Sequence, residues 1–481
     1  MRLGAAATLL LAAASACSKS SNSATAVPTA VPSGATASPT TTPTPAVIGV
    51  AYVPDGGNGA GFNGIQFAHF EDTGGNLLPS PATSATPTAV RFPASVGPLA
   101  FAADGSVAAA AMGSAGVYTQ IQGIFGANAA NLVPAGLPYV TNVPPSPAAS
   151  PTPTATPEAD AVVADVRSIS ILGTSTAAVA LLQGNPAGLL GVSSLTQTPP
   201  QFSGFVPFSA AAVATPSPIP LPAGAAHLFV ASEATSTGGT DGNGNAIVGN
   251  ALVRGNADLF SLQVTVVGAG YGFAIKADDT TLGVNPAVAA NQRGRGAMAF
   301  SPTDPSRALI GQAPAANQVT LVTGLPTAIT RSYTLTLPTG ARIRSVAIAT
   351  GGQMAVLGAD DGYYVIGGVS SPPMTLLAQT SPGIYGTGTV TGGIQPSYVG
   401  ADGATHALAN ISSVGFSADG KYLALLGSAT GATSATLVAL PFNQSIGASA
   451  TPAPSGTIPP QTFTQNNVYL PNADQDLTVV R

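Results

Sequence analysis

Residues 413–427 read "SVGFSADGKYLALLG". Val414 and Phe416 flank Gly415, so an extended chain puts both on one face. Asp419-Gly420 is the dipeptide of a two-residue type I′ turn, in which both positions need φ above zero. Tyr422 to Leu426 then returns as an apolar partner strand. The stretch predicts a β-hairpin.

Its grammar recurs. "GPLAFAADGSVAAAA" from Gly97 places Leu99 and Phe101 before Asp104-Gly105, and "RSVAIATGGQMAVLG" from Arg344 places Val346 and Ile348 before Gly351-Gly352. "GAMAFSPTDPSRALIG" from Gly296 has the same form, with a turn one residue longer at Asp304-Pro305. Fainter copies are "RSISILGTSTAAVALL" from Arg167, "YGFAIKADDTTLGV" from Tyr271 and the return strand "AGAAHLFVAS" from Ala223. A unit returning at large intervals signals a repeat architecture, in which each small sheet needs its neighbours to cover its faces.

The pattern F-S-x-D-G-K-x-L-A, carried by Phe416 to Ala424, resembles the blade hairpin of YVTN-type and WD40-like β-propellers. That resemblance implies an all-β fold over residues 47–481, a β-propeller of about seven four-stranded blades, with six as the alternative count. Seven copies give about 62 residues each, against roughly 40–45 for a WD40 unit. The excess falls in Pro/Thr/Ser-rich stretches beginning at 79, 144, 214 and 448, which predict loop insertions. The closing "DLTVVR" predicts a strand that pairs near "AVIGVAYV" and shuts the ring. A parallel β-helix or tandem β-sandwiches are the alternative folds, and neither explains a recurrent Asp-Gly hairpin as well.

Composition sets the character of the surface. The chain has 481 residues, 45% hydrophobic but only 7% charged, against about a quarter in typical domains. Its mean hydropathy of +0.35 comes from dispersed Ala and Val, since Gly, Pro, Ser or Thr interrupts every apolar run after residue 17. The net charge of −5, without a basic cluster, argues against nucleic acid as a partner. Hydroxyl, amide and glycine must make up the exposed surface. With so few titratable groups, stability should change little over moderate pH.

The single cysteine, Cys17, follows Met1-Arg2 and an apolar run from Leu3 to Ala14. Ala14-Ser15-Ala16-Cys17 resembles a bacterial lipobox, with Ala14 where that family usually has Leu. The resemblance implies a signal peptide over 1–16 and lipidation of Cys17 by a palmitate-type anchor. An ordinary secretory signal is the alternative, because Ala14-Ser15-Ala16 is also an A-x-A cleavage site; both routes cut the same bond. Residues 17–46 then read as a Ser/Thr/Pro-rich tether, too polar to offset its ordering entropy and biased to extended PPII. One cysteine also rules out an internal disulfide framework.

Chemistry-bearing motifs are sparse. His69, His227 and His406 have no ligand partner at metal spacing, and His227 reads as a strand residue. Gly59 to Gly64 satisfies G-x-G-x-x-G, but "IQFAHFEDTGGN" after it alternates like a strand, so the match reads as a glycine-rich loop. "DGNGNAIVGNAL" opens like a calcium loop, with oxygens at Asp241, Asn243 and Asn245. Ala246 and Leu252 replace the usual Gly and bidentate Glu, so a plain turn is expected, with a weak Ca2+ site as the alternative. No other cofactor is expected.

The sequence thus points to an exported lipoprotein of the bacterial cell envelope. It is expected to contact the membrane through its N-terminal lipid and to bind or scaffold an envelope protein or glycan. One alternative is a propeller hydrolase, lactonase- or glycosidase-like, using carboxylates such as Asp278, Asp279, Asp360 or Asp361 near the channel mouth. Each of those residues also suits a hairpin turn. A structural cell-surface protein is the other alternative.

Overall fold

The computed structural model describes the chain almost continuously from residue 228 to 446. It describes separate strands between 47 and 220, at 461–462 and at 477–479. Cys17, the tether, Asp104-Gly105 and His227 lie outside the described residues.

Every regular element among the described residues is a strand. Seven sheets of three to five strands follow one another along the chain, and a small hairpin, Ser397–Val399 with Thr405–Ala407, lies between the sixth and seventh. Most consecutive strands within a sheet pair antiparallel, as short connections dictate. Sheets two to seven begin with an inner strand: Leu99–Phe101, Asp165–Ile171, Leu228–Ala234, Met298–Phe300, Ile343–Ile348 and Asn410–Phe416. The terminal strand Leu477–Val479 joins the first sheet, where it pairs antiparallel with Val47–Tyr52 in the register Val50↔Val479. It contacts the inner strands of sheets two and seven, and the other inner strands contact one another in chain order. The circuit is closed. The architecture is a β-propeller.

Packing explains the apolar runs. In the strand Met354–Ala359, Met354 and Val356 pack with Ile411, Val414 and Leu425 of sheet seven. Ala355, Leu357 and Ala359 pack with Leu309, Val319 and Leu321 of sheet five. A strand covered on both faces needs apolar side chains at odd and even positions alike, hence "MAVLGA" and "YLALLGS" in place of strict alternation. Full burial of each such Leu or Val stabilises by roughly 1.5–3 kcal/mol.

Neighbouring inner strands are also tied by hydroxyls. The Val230 N–H donates to Ser168 Oγ at 3.1 Å, and the Ser232 N–H to Ser170 Oγ at 2.8 Å. A register shift recurs near the start of three inner strands, at Val166/Ser168, Ile343/Ser345 and Ile411/Ser413, so the repeat carries a β-bulge.

Two expectations are corrected. The Asp419-Gly420 hairpin does not close as a two-residue I′ turn. The Ser417 N–H donates to Tyr422 O at 3.0 Å and the Gly420 N–H to Ser417 O at 2.8 Å, leaving residues 418–421 between the paired ends. Gly420, at φ +68°, is the fourth residue of a β-turn, and Ser417 Oγ donates to Asp419 Oδ1 at 2.7 Å. Gly352, at φ +72°, occupies the same place between Ala349 and Met354, while Gly351 precedes it within the turn. One left-handed glycine at the fourth position suits a longer loop better than I′ geometry does. The Asp304-Pro305 copy closes at Ser301–Arg307 and carries one residue more, 302–306. The second correction concerns the stretch from Tyr271, which is no blade hairpin. Gly270–Asp279 is the outermost strand of sheet four, whose inner strand is Leu228–Ala234. Its half-exposed alternation imitates an inner strand followed by an Asp turn.

Candidate functional site

The inner-hairpin turns of sheets five, six and seven touch in succession. A methyl group on Gly352 would collide with Thr303 Oγ1, and one on Gly420 with Thr350 Oγ1 and the Gln444 amide. Gln444 clamps this face: the Gly351 N–H donates to its Oε1 at 2.8 Å, and its Nε2 donates to Thr350 Oγ1 at 2.9 Å and Gly420 O at 3.1 Å. The resulting surface is hydroxyl, amide and backbone, and its charges are paired, Asp419 with Lys421 at 3.1 Å and Asp304 with Arg307 at 2.8 Å.

The carboxylates proposed for hydrolysis are dispersed. Asp278 and Asp279 lie on the outermost strand of sheet four, three strands from the inner one, or roughly 14 Å. That corrects their expected place near the channel mouth. Both carboxylate oxygens of Asp279 accept from one edge of the Arg331 guanidinium in sheet five, Oδ2 from Nε at 2.8 Å and Oδ1 from Nη2. Burial pushes its carboxyl up, but hydrogen bonds from Arg331 and Thr281 outweigh this and hold it below the usual range. Asp360 pairs with Arg344 Nε. Asp361 Oδ2 accepts from Thr339 Oγ1 at 2.7 Å, Tyr364 OH at 2.6 Å and the Gly393 N–H at 3.3 Å. Gln395 Nε2 donates to Asp361 O at 2.9 Å, so this residue anchors the segment 393–395 over the turn that joins Met354–Ala359 to Gly362–Gly367. Burial, then the Asp361 carboxylate, push the Tyr364 phenol well above its usual range.

Asp258 behaves differently, since burial and then the charges of Asp278 and Asp279 raise its carboxyl. The pH signs follow. Carboxyls held low, at Asp279, Asp304 and Asp419, contribute stability above the ordinary Asp range and lose it as pH falls through their depressed values. The contribution of Asp258 is present below that range and fades as pH rises through its raised value. Calorimetry should therefore show a melting midpoint flat within about 2 °C from pH 6 to 8, falling only below roughly pH 4. A large shift between pH 6 and 8 would contradict it.

The Asp241 loop is an Asx turn. Oδ1 accepts the N–H groups of Asn243 and Asn245, both at 2.8 Å, and Oδ2 accepts Asn245 Nδ2 at 2.9 Å. Both carboxylate oxygens hold the loop together, with Gly244 at φ +83° completing the turn. Among the described residues, no three His, Cys, Asp or Glu side chains come together in a metal-holding group. His406 lies in the small hairpin, its ring 5.4 Å from that of Tyr398. Gly64 begins the strand Gly64–Asp72, which contains His69.

Arg254 was not singled out by motif. It is the penultimate residue of the strand Ile247–Gly255 and is fully buried. Its Nε donates to Leu282 O at 2.8 Å, Nη1 to Gly296 O at 2.8 Å and Gly311 O at 2.7 Å, and Nη2 to Gln312 O at 3.0 Å and Gly283 O at 3.5 Å. Five carbonyls thus meet the five N–H donors of a guanidinium. Burial pulls its pKa down to about 9, which still leaves it charged at neutral pH. The available signal was a lone Arg closing the apolar run "NALV".

No family model and no curated protein matches the chain. Solved structures with a similar course include a protein from Lactobacillus plantarum, 9% identical, covering 83% of this chain and 97% of that one, at a TM-score of 0.44. A 6-phosphogluconolactonase-like protein from Bacteroides fragilis is 12% identical, with 84% and 98% covered and a TM-score of 0.41. The β-propeller domain of Cps50 (Swd1) from Myceliophteria thermophila is 11% identical, with 70% and 81% covered and a TM-score of 0.38. The chain resembles these proteins in fold alone, and the propeller assignment here rests on its own closed circuit of sheets.

Proposed function

We propose that the protein is an exported lipoprotein whose propeller binds or scaffolds another component of the cell envelope. The turn face clamped by Gln444 carries this reading. Three consecutive sheets present a frame of Thr, Gly and Gln groups, in which recognition would proceed by hydrogen bonds rather than charge steering. Three of the four carboxylates named for a hydrolase are instead engaged: Asp279 by Arg331, Asp360 by Arg344, and Asp361 by Thr339 and Tyr364. Such pairing suits structural roles better than acid–base work.

For the address, Cys17→Ala is expected to abolish labelling by radioactive palmitate and to move the protein from the membrane to the soluble fraction. A wild-type protein whose mature N-terminus carries an unmodified Cys17 thiol would sink the anchor. Binding is tested by crosslinking the wild type and a Thr350→Arg/Lys421→Glu variant on intact cells. Loss of a discrete crosslinked partner in the variant is the expected result. An unchanged partner set would remove this face from the proposal.

A further inference from the structure

Among the described residues, two that are not glycine adopt the left-handed region, Ala297 at φ +55° and Gln312 at φ +56°. Both immediately follow a carbonyl held by Arg254, Gly296 O at 2.8 Å and Gly311 O at 2.7 Å. The coincidence has a geometric cause. The φ angle of a residue sets how the preceding peptide plane turns about N–Cα, and a positive φ brings the preceding carbonyl oxygen toward the residue's own Cβ. Aiming the 296 and 311 carbonyls into one guanidinium therefore forces strain on Ala297 and Gln312. The two residues are also tied across the strand ends, since the Gly311 N–H donates to Ala297 O at 2.9 Å.

We infer that Arg254 is a conformational latch: its buried guanidinium holds the 296–297 and 311–312 peptide planes turned inward, and without it those planes flip outward. Strain of this kind persists only where surroundings over-determine it. Here the surroundings include one side chain from sheet four that reaches the first and second strands of sheet five. The latch extends further, because Gln312 Nε2 donates to Ile343 O at the start of the inner strand of sheet six. Three sheets are thereby linked at the end where their inner strands begin. In the protein's own chemistry, the five-carbonyl cage is a site for a planar, multi-donor cation, filled by Arg254.

A thermodynamic cycle on the full chain tests the latch. Ala297→Gly should leave the melting midpoint unchanged or raise it in the wild type, because glycine relieves the left-handed strain. Ala308→Gly, likewise buried in the adjacent strand but without a positive φ, should lower it by about 1–2 °C. In an Arg254→Met background, Ala297→Gly should become destabilising, since the planes are then free and glycine only adds chain entropy. The same loss for Ala297→Gly in both backgrounds would overturn the latch. Should Arg254→Met not fold, Arg254→Lys replaces it, keeping the charge but not the planar fork, and the same difference is expected at reduced size. A crystal structure of either variant retaining positive φ at 297 and 312 would equally overturn the inference.

Discussion

Arg254→Met is expected to cost about 3–5 kcal/mol, a fall in melting midpoint of roughly 3–6 °C for a cooperative unit of this size. Methionine fills much of the volume, so a void is not the main loss. The loss is that four buried backbone carbonyls, at Leu282, Gly296, Gly311 and Gln312, and the half-buried one at Gly283 lose the donor they share. A buried acceptor left unpaired costs about 1–3 kcal/mol, and relaxation of the loops recovers part of the sum. Differential scanning calorimetry checks the value. A fall below about 2 °C would mean that the carbonyls find other donors and that Arg254 is dispensable.

Ending the chain at residue 470 is expected to be at least as damaging. The strand Leu477–Val479 supplies the antiparallel partner of Val50–Tyr52 and bridges the inner strands of sheets seven and two. Its removal exposes a strand edge and interrupts the one closed circuit in the fold. The truncated protein should melt about 10 °C or more below the full chain and should be cut by trypsin under conditions that spare the wild type. Matching melting curves and digestion patterns would show that closure contributes little.

What was legible beforehand was the part governed by local rules. Phe416 and Val414 before a glycine turn, repeated at Leu99, Val346 and Met298, marked inner hairpins because period-two burial and turn chemistry act over a few residues. Gly352 and Gly420 lie in turns whose type depends on which residue goes left-handed, and the dipeptides alone do not fix that. Tyr271 misled because an outermost strand, half exposed, alternates much as an inner one does. Arg254 and Gln444 escaped altogether. Their partners lie up to 58 residues away for Arg254 and up to 94 for Gln444, and are mostly backbone atoms, so no side-chain pattern records them. Asp241 was legible as a loop residue, although the hydrogen bonds its carboxylate accepts within the loop are not fixed by spacing alone.

Closure of the ring by the strands Val47–Tyr52 and Leu477–Val479 is tested by a crosslink. Ala51 and Thr478 are direct partners in the antiparallel register. Cβ atoms in such pairs lie about 4.5–5.5 Å apart, within reach of a disulfide after modest adjustment. In a Cys17→Ser background the substituted pair Ala51→Cys/Thr478→Cys contains the only two thiols of the chain. Mild oxidation should crosslink them nearly quantitatively, as peptide mapping would show, and should raise the melting midpoint. Two free thiols after oxidation of the folded monomer would contradict the closed ring.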